Sequence, residues 1–385
     1  MALKRHRLAR QRRAAGHSQE QLAERLRVER STVGRWERAE TDPLPYIRPR
    51  LATELRISLE ELNVLLDDVR SVEPHRDERL AHALGNPTGV DLITTAHLRQ
   101  RVQTLTEEYD RVPSALLLAS AGQCHGQVAY LRQHALAGRV LRELFAVEAE
   151  SATLMGQLVW DTSQRRDHAT TLAYFEAAVA AAREVGDGFA EAHAQLRMSY
   201  VALYGLCDPR KGLALTKSAA RTASGVSPAL AGIALMHVGE AHAMLQDAQR
   251  CEKSLGGALA EFDKSGDADP AAGFFTPDDH GRLTGSSYLF LGRPERAAGT
   301  LTALRREGNK SSAIVLGNLS LAHIRTRQLD AALASLHEAI TVVEATRGGG
   351  GMNLVFTAGR ELAPWRREPR VREVNDRLLA LMTAA

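Results

Sequence analysis

Cysteine and aromatic residues are scarce in this chain of 385 residues. The three cysteines, Cys124, Cys207 and Cys251, lie far apart and form no Cys-x-x-Cys pair, so neither a disulfide framework nor a zinc site is expected. Aromatic residues make up 5% of the chain, and alanine-rich stretches such as residues 177–182 suit closely packed helices better than β-sandwiches. The composition therefore predicts an all-α protein in a reducing compartment.

Long apolar runs are absent from the sequence as well. No apolar segment follows the N-terminal basic residues, so no signal peptide is expected. The longest stretch without Asp, Glu, Lys or Arg, residues 112–131, carries Pro113, Ser114 and Gln123 among other polar residues, and it predicts a packed helix pair instead of a bilayer span. We therefore expect a cytoplasmic protein without a membrane segment.

Basic residues are concentrated near the N-terminus. Residues 1–66 contain 14 Lys and Arg against 9 Asp and Glu, whereas the rest of the chain contains 35 against 37. Six of the cations and no acid lie within residues 4–13. Such clusters often bind polyanions, and a solvated helix face would give the same pattern. The cluster alone leaves both interpretations open.

The first 66 residues carry the signals of five short helices. Gly16 ends the first helix, because glycine adopts the left-handed backbone conformation at little cost. Ser18 and Gln21 form a capping box that begins the second helix. Val33 and Trp36 give the third helix an apolar stripe. The fourth and fifth helices are expected to bury Ile47, Leu51, Ala52, Leu55, Leu59, Leu62, Leu65 and Leu66.

Five helices of this size, with a four-residue turn between the second and third, predict a helix-turn-helix bundle over residues 1–66. The segments HSQEQLAERL, residues 17–26, and VERSTVGRWER, residues 28–38, resemble the xenobiotic-response-element family of lambda-repressor-like regulators. Three positions depart from the family pattern. Arg27 stands where the turn often has glycine, Glu29 stands where a short capping side chain is common, and Ala39 follows the third helix in place of the usual glycine.

This resemblance implies that the third helix lies in the major groove of double-stranded DNA. Arg30, Ser31 and Arg35 occupy the positions from which such helices contact base edges. Each of the two arginines could bind O6 and N7 of a guanine with both prongs of its guanidinium group. We expect these three residues to select the DNA sequence.

The resemblance also implies phosphate contacts and one architectural pair. Gln19, Thr32 and Arg38 are expected to contact the DNA backbone. Arg12 and Glu37 match a pair that, in the family, ties the first helix to the third. We therefore assign this pair to the architecture of the domain.

A change of pattern follows the predicted DNA-binding domain. Residues 67–91 are polar and contain two prolines and two glycines, with one short apolar turn at residues 80–84, which is typical of a linker. Helical periodicity returns at Leu92 and persists almost to the end of the chain. Residues 92–385 are therefore predicted to form a second, larger domain.

The second domain repeats a pattern of five positions. Three sets of residues share offsets of 3, 12, 16 and 19, and successive sets begin 46 and 35 residues apart. The small residues at the first and third positions would let paired helices touch. The sets are Gly239, His242, Cys251, Leu255, Ala258; Gly285, Tyr288, Ala297, Leu301, Leu304; and Ser320, His323, Ala332, Leu336, Ala339.

This pattern resembles the tetratricopeptide repeat, whose period is about 34 residues, and it is clearest over residues 232–345. The resemblance implies an α-solenoid whose concave side binds a peptide or protein segment. Asn318 and Arg325 would line that groove, where the asparagine can pair with the backbone of a ligand. A solvated helix face is the alternative for these two residues.

Motifs for catalysis, cofactors and metals are incomplete. Residues 308–311, GNKS, lack the glycines of a phosphate-binding loop. His237 and His242 lie five residues apart, which turns them roughly 500° on a helix and disfavours zinc. The four glycines at residues 348–351 predict a flexible turn before a closing segment. We expect no catalytic residue, no metal, no cofactor and no enzymatic activity.

Together these patterns predict a sequence-specific DNA-binding transcriptional regulator. Repressor-like domains commonly act in pairs on two half-sites, so we expect a homodimer held mostly by the solenoid. The solenoid would sense a peptide, protein or small-molecule effector. The alternative is a protein-interaction adaptor whose solenoid recruits a partner and whose helix-turn-helix domain binds DNA weakly or serves assembly only.

Overall fold

The computed structural model describes residues 6–38, 41–44, 47–66, 72–272, 277–304 and 307–383. All regular elements among these residues are helices, which confirms the prediction of an all-α protein. The chain divides into two compact units, residues 1–85 (unit 1) and residues 86–385 (unit 2). Lys4 and Arg5 of the N-terminal basic cluster lie outside the described residues.

The described part of unit 1 contains six helices. They are α1 (His6–Ala14), α2 (Gln19–Leu26), α3 (Arg30–Glu37), α4 (Arg48–Glu54), α5 (Leu59–Leu66) and α6 (Val72–Gly85). Side chains such as Leu22, Val33, Trp36 and Leu51 form one apolar core. Leu59, which the apolar pattern placed inside, is 46% exposed, because it is the first residue of α5 and precedes the turn that packs on the core.

Two capping boxes begin helices of unit 1. Ser18 Oγ accepts a hydrogen bond from the Gln21 backbone N–H at 3.1 Å, and Gln21 Oε1 accepts from the Ser18 N–H at 2.8 Å. Ser58 and Glu61 form the same reciprocal pair before α5, at 3.1 and 2.7 Å. Each box satisfies two backbone donors that a helix start leaves unpaired, so these serines fix where α2 and α5 begin.

The segment between the two predicted domains differs from the expected linker. Residues 67–71 lie outside the described residues, but Val72–Gly85 forms the 14-residue helix α6. Leu80 and Ala83 are buried, and they lie three residues apart on one face of this helix. The sequence showed only one apolar turn here, because the many polar residues of the segment resemble those of a loop.

The described part of unit 2 contains fourteen α-helices. They are α7 (Leu92–Glu108), α8 (Ser114–His134), α9 (Arg139–Thr162), α10 (His168–Val185), α11 (Gly188–Tyr200), α12 (Pro209–Ala223), α13 (Pro228–Met244), α14 (Ala248–Phe262), α15 (Pro277–Phe290), α16 (Pro294–Thr302), α17 (Lys310–Arg325), α18 (Leu329–Thr346), α19 (Gly349–Glu361) and α20 (Pro369–Thr383). Consecutive helices pack together from α9 to α14 and again from α15 to α18, and α13 packs against α15.

The first repeated position makes a close contact with the second helix in each of the three helix pairs that carry the pattern. A Cβ atom added at Gly239 would lie 3.0 Å from Leu255 Cδ2, and one added at Gly285 would lie 2.5 Å from Leu301 Cγ. In the third pair, the hydroxyl of Ser320 donates to the backbone carbonyl of Ala332 at 3.0 Å. A small residue on the first helix thus lets the second helix approach closely each time.

The first and last parts of unit 2 are joined by a buried ionic cluster. Lys310 Nζ at the start of α17 lies 3.3 Å from Asp161 Oδ2 on α9, and their side chains are 7% and 2% exposed. Asp161 also accepts hydrogen bonds from Tyr109 Oη at 2.9 Å, Ser114 Oγ at 3.2 Å and the Gly349 N–H at 3.3 Å. We call Tyr109, Ser114, Asp161 and Lys310 the closing cluster.

The four-glycine segment is not the flexible turn that its composition predicted. Gly349, Gly350 and Gly351 form the first turn of α19 and are buried. A Cβ atom would lie 2.6 Å from Arg165 Nη2 at Gly350 and 2.5 Å from Ala313 Cβ at Gly351. The prediction was wrong because these glycines are required by close packing against Arg165, just after α9, and against α17, which the local sequence does not reveal.

Replacing Gly351 with alanine tests this packing. We expect the substitution to lower the free energy of unfolding by about 1–3 kcal/mol, because an added methyl group has no room beside Ala313. Urea denaturation followed by circular dichroism measures the change. Gly256→Ala is the matched control: Gly256 lies in α14 with no atom near its absent Cβ, and it should gain up to about 1 kcal/mol. Equal effects of the two substitutions would contradict the packing argument.

Candidate functional site

The turn between α2 and α3 depends on an arginine in a conformation that favours glycine. Arg27 ends α2 with φ 58° and ψ 48°, in the left-handed region. Its backbone N–H contacts the carbonyl oxygens of Ala23 and Glu24, and the N–H of Val28 donates to the Ala23 carbonyl at 3.0 Å. These bonds close α2 and direct the chain into α3, as in a helix C-cap.

Replacing Arg27 with glycine should stabilise unit 1. A non-glycine residue in the left-handed region is disfavoured by about 1–2 kcal/mol, and the greater flexibility of unfolded glycine offsets part of that gain. We expect the free energy of unfolding to rise by about 0.5–1 kcal/mol. Arg25→Gly removes the same side chain from within α2 and should destabilise by about 1 kcal/mol. Thermal denaturation of the two variants compares them directly.

Helix α3 has one buried face and one exposed face. Val33 and Trp36 are buried in the core of unit 1, whereas Gly34 is buried against the side chain of Arg38. Arg30, Ser31, Arg35 and Arg38 are exposed, and Thr32 is half-buried. At about 100° per residue, the four exposed residues fall within less than half of the helix circumference. The exposed face therefore gathers three cations and a hydroxyl on one side.

The contacts of the exposed face are ones that solvent or DNA can replace. Arg30 Nε lies 2.6 Å from Glu20 Oε1, and both side chains are more than half exposed. Ser31 donates to Glu29 Oε2 at 3.0 Å, and Arg35 Nη2 donates to Thr32 Oγ1 at 3.4 Å. Exposed ion pairs contribute little free energy, so the guanidinium groups can exchange these partners for guanine or phosphate.

A buried network holds α3 against α1 and α2. Arg12 Nε lies 2.6 Å from Glu37 Oε1, with side chains 8% and 10% exposed, and Arg12 Nη1 donates to the His17 carbonyl at 2.7 Å. Gln19 Nε2 donates to Glu37 Oε2 at 2.6 Å. The structure thus contains the tie between first and third helices that the sequence indicated. The hydrogen bond from Gln19 also holds the first residue of α2 against the last residue of α3.

A comparison with known protein families agrees with the helix-turn-helix geometry of unit 1. Residues 8–62 match the helix-turn-helix family. Residues 8–62 form a helix-turn-helix domain. The helix-turn-helix domain is of the xenobiotic-response-element or lambda-repressor-like type and indicates a DNA-binding transcription regulator. No curated protein matches the chain.

Unit 2 contains a buried polar cluster formed by four residues from three segments. Tyr204 follows α11, His237 and Glu240 lie on α13, and Ser286 lies on α15. The Glu240 carboxylate accepts hydrogen bonds from the hydroxyls of Tyr204 and Ser286, and His237 Nδ1 lies 3.1 Å from Glu240 Oε2. We call these residues the buried polar cluster.

Burial and hydrogen bonding set the charges of this cluster. Burial opposes ionisation of Glu240, but hydrogen bonds from His237, Ser286 and Tyr204 outweigh it and lower the pKa of the carboxyl. Burial lowers the pKa of His237, and burial together with Glu240 raises the pKa of Tyr204 well above its ordinary value. Although burial disfavours its charge, nearby Asp279 helps raise the pKa of Arg282. The cluster therefore holds a carboxylate, a neutral imidazole and a neighbouring cation.

Asn318 and Arg325, the predicted effector contacts, lie on α17 in different surroundings. Asn318 is 6% exposed. Arg325 forms a two-pronged ion pair with Glu361 on α19, at 2.8 and 3.2 Å, and its Nη1 donates to the Leu289 carbonyl at 3.2 Å. The structure therefore separates them: one is buried within unit 2, and the other connects α17 to α19.

The sequence analysis missed the closing cluster and the buried polar cluster. Their members come from helices far apart in the chain, so no local spacing reveals them. The sequence contains one signal of the buried polar cluster. Glu240 is the only acidic residue of α13, a helix that is otherwise mostly apolar. A buried carboxylate on such a helix requires partners from neighbouring helices.

The structure also bears on membranes and metals. None of the described helices is long and apolar enough to span a bilayer. The described residues contain no group of three or more His, Cys, Asp or Glu side chains placed to hold a metal ion.

Proposed function

We propose that the protein is a sequence-specific transcriptional regulator that inserts α3 into the major groove of its operator. Arg30, Ser31 and Arg35 contact base edges, and Gln19, Thr32 and Arg38 contact phosphates. One observation carries the proposal: the face of α3 opposite the core is exposed and bears arginines whose contacts are easily replaced. Base recognition needs such side chains on a helix held rigidly by its other face.

Footprinting on genomic fragments tests sequence specificity. Fragments that copurify with the full-length chain are sequenced, and the enriched ones are probed for protected nucleotides. Because phosphate contacts make affinity depend on salt, the comparison is made at several stated salt concentrations. We expect a protected stretch of defined sequence. Uniform, sequence-independent protection would contradict the proposal.

We also propose that unit 2 is a tetratricopeptide-like solenoid that mediates dimerisation. The support is the close approach of paired helices at Gly239, Gly285 and Ser320, the first repeated position in three helix pairs. Two copies would place two helix-turn-helix domains on two half-sites. Light scattering coupled to size-exclusion chromatography tests this point. A dimer at micromolar concentration is expected, and a monomer both with and without DNA would refute it.

Effector sensing by unit 2 is supported by polar groups buried within it. The buried polar cluster places a carboxylate and an imidazole inside the helical array, and Arg282 Nε is buried without a hydrogen-bond partner among the described residues. Buried polar atoms without partners are uncommon, and a ligand can supply the missing contact. A thermal-shift screen of peptides and small molecules, with Glu240→Gln as the comparison variant, tests the site. The same shifts in both proteins would exclude the cluster as the effector site.

The proposed role is regulatory, without catalysis. An adaptor that recruits a protein through unit 2 remains the competing function, and the two differ in what they require of α3. A regulator loses its target choice when Arg30 and Arg35 are removed, whereas an adaptor keeps it.

A further inference from the structure

A groove on unit 2 lies between α12 and α14, with α13 as its floor. Its volume is about 480 Å³. Lys217 and Arg221 of α12 line one side, and Arg250 and Lys253 of α14 line the other. On each helix the two cations lie three or four residues apart, so they share one helix face. The groove therefore has a cationic pair on each wall.

The floor of the groove is the face of α13 opposite the buried polar cluster. Leu235, Val238 and His242 line the groove at spacings of three and four residues. His237 and Glu240, which belong to the buried polar cluster, lie between them in sequence and roughly half a turn away around the helix. Helix α13 thus separates two polar sites, one within the helical array and one at the groove.

The cations of the groove are largely uncompensated. Arg250 lies 3.0 Å from Asp247, but Lys217, Arg221 and Lys253 have no ion pair with any residue of the described part of the chain. At most one of the four positive charges is therefore neutralised by a neighbour. A polyanion would be attracted to this part of the surface.

The imidazole of His242 is a second sign of a ligand site. It is 5% exposed, it lines the groove, and its ring nitrogens have no hydrogen bond within the described residues. Burial and the charge of Lys217 lower the pKa of His242, so the imidazole is neutral at pH 7. The ring nitrogens of His242 are not among the fully buried polar atoms of the described residues, so solvent reaches them, and they can form a hydrogen bond with a group that occupies the groove.

We propose that this groove binds a phosphorylated small molecule of about nucleotide size. The phosphates lie between the two cationic walls, and the apolar part of the ligand contacts Leu235 and Val238. A single carboxylate would neutralise only one of the cations, whereas a diphosphate matches several of them with charge-assisted hydrogen bonds. A volume of about 480 Å³ falls within the range of small-molecule sites. This site belongs to unit 2, and the proposal does not depend on the proposed DNA recognition.

Calorimetric titration of the full-length chain with ADP and with inorganic pyrophosphate tests the proposal. The groove variant is Lys217→Gln with Lys253→Gln, and the matched control is Lys211→Gln with Lys264→Gln. All four lysines are exposed, and both variants lose the same charge. We expect saturable ADP binding that weakens about tenfold or more in the groove variant and less than about twofold in the control. Pyrophosphate should bind more weakly than ADP, because it lacks an apolar body.

Three outcomes would overturn the proposal. The first is the absence of saturable binding of either probe at millimolar concentration. The second is equal weakening in the groove and control variants, which would show that only total charge matters. The third is no binding of either probe together with groove-dependent affinity for duplex DNA that lacks the operator, which would make the groove a nucleic-acid contact. Circular dichroism and the thermal midpoint confirm that each variant is folded, and unchanged operator affinity separates this site from the proposed regulator function.

Discussion

The double substitution Arg30→Ala with Arg35→Ala is expected to abolish the sequence preference of the helix-turn-helix domain. Each arginine that contacts a guanine with two hydrogen bonds contributes about 1–3 kcal/mol of discrimination. Loss of both should reduce operator affinity by about 30-fold or more, while affinity for unrelated DNA falls much less. Neither side chain packs in the core, so the fold should be unaffected.

Competition binding of labelled operator against unrelated duplex measures the change in preference. The matched control is Arg10→Ala with Arg13→Ala, which removes two exposed cations from α1. That variant should weaken binding to all sequences by a similar factor and reduce its salt dependence, because it removes phosphate attraction only. If the α3 variant retains its preference for the operator, base reading does not come from α3, and the adaptor function is favoured.

Substitution of Asp161 by alanine should produce the largest loss of stability in unit 2. The carboxylate accepts four hydrogen-bonding contacts, including that of the buried ammonium of Lys310. Removing it leaves a buried charge without its counter-ion, which lowers the free energy of unfolding by about 3–5 kcal/mol. Urea denaturation followed by circular dichroism measures the loss.

The pH dependence of this variant identifies the cause. Burial already lowers the pKa of Lys310 in the native protein, and loss of Asp161 lowers it further. The unfolded chain then binds more protons than the folded chain between the two pKa values, so stability of the variant rises with pH towards the unfolded value of Lys310. The double variant Asp161→Ala with Lys310→Met should recover part of the loss at pH 7. A loss of unfolding free energy that stays constant with pH and persists in the double variant would contradict the ionic explanation.

Most of unit 1 could be predicted from the sequence, because its signals are local. Ser18 and Gln21 are three residues apart and form the capping box that their spacing indicates. Val33 and Trp36 pack into the core through a helical period that is visible in eleven residues of sequence. The family match then covers this same region. Leu59 was wrongly predicted to be buried, because periodicity does not show on which residue a helix begins.

The sites of unit 2 could not be predicted, because they depend on contacts between distant segments. Glu240 and Ser286 are 46 residues apart, and Lys310 and Ser114 are 196 residues apart. No spacing rule relates such pairs until the helices are placed. The role of the glycines at 349–351 was wrongly predicted for the same reason. A flexible turn and close helix packing both favour glycine, and only the position of Ala313 shows that close packing is the reason here.

The closing cluster changes how unit 2 should lose its structure. In a linear array, each hairpin rests on its immediate neighbours alone, and the outermost hairpins fray first. Here α17 and α19 are bonded to Asp161 of α9, so separating the early hairpins from the late ones breaks a buried ion pair. A partly unfolded form of unit 2 with one disordered end would have lost this ion pair, so such intermediates are destabilised. We therefore expect unfolding to be cooperative across the whole unit.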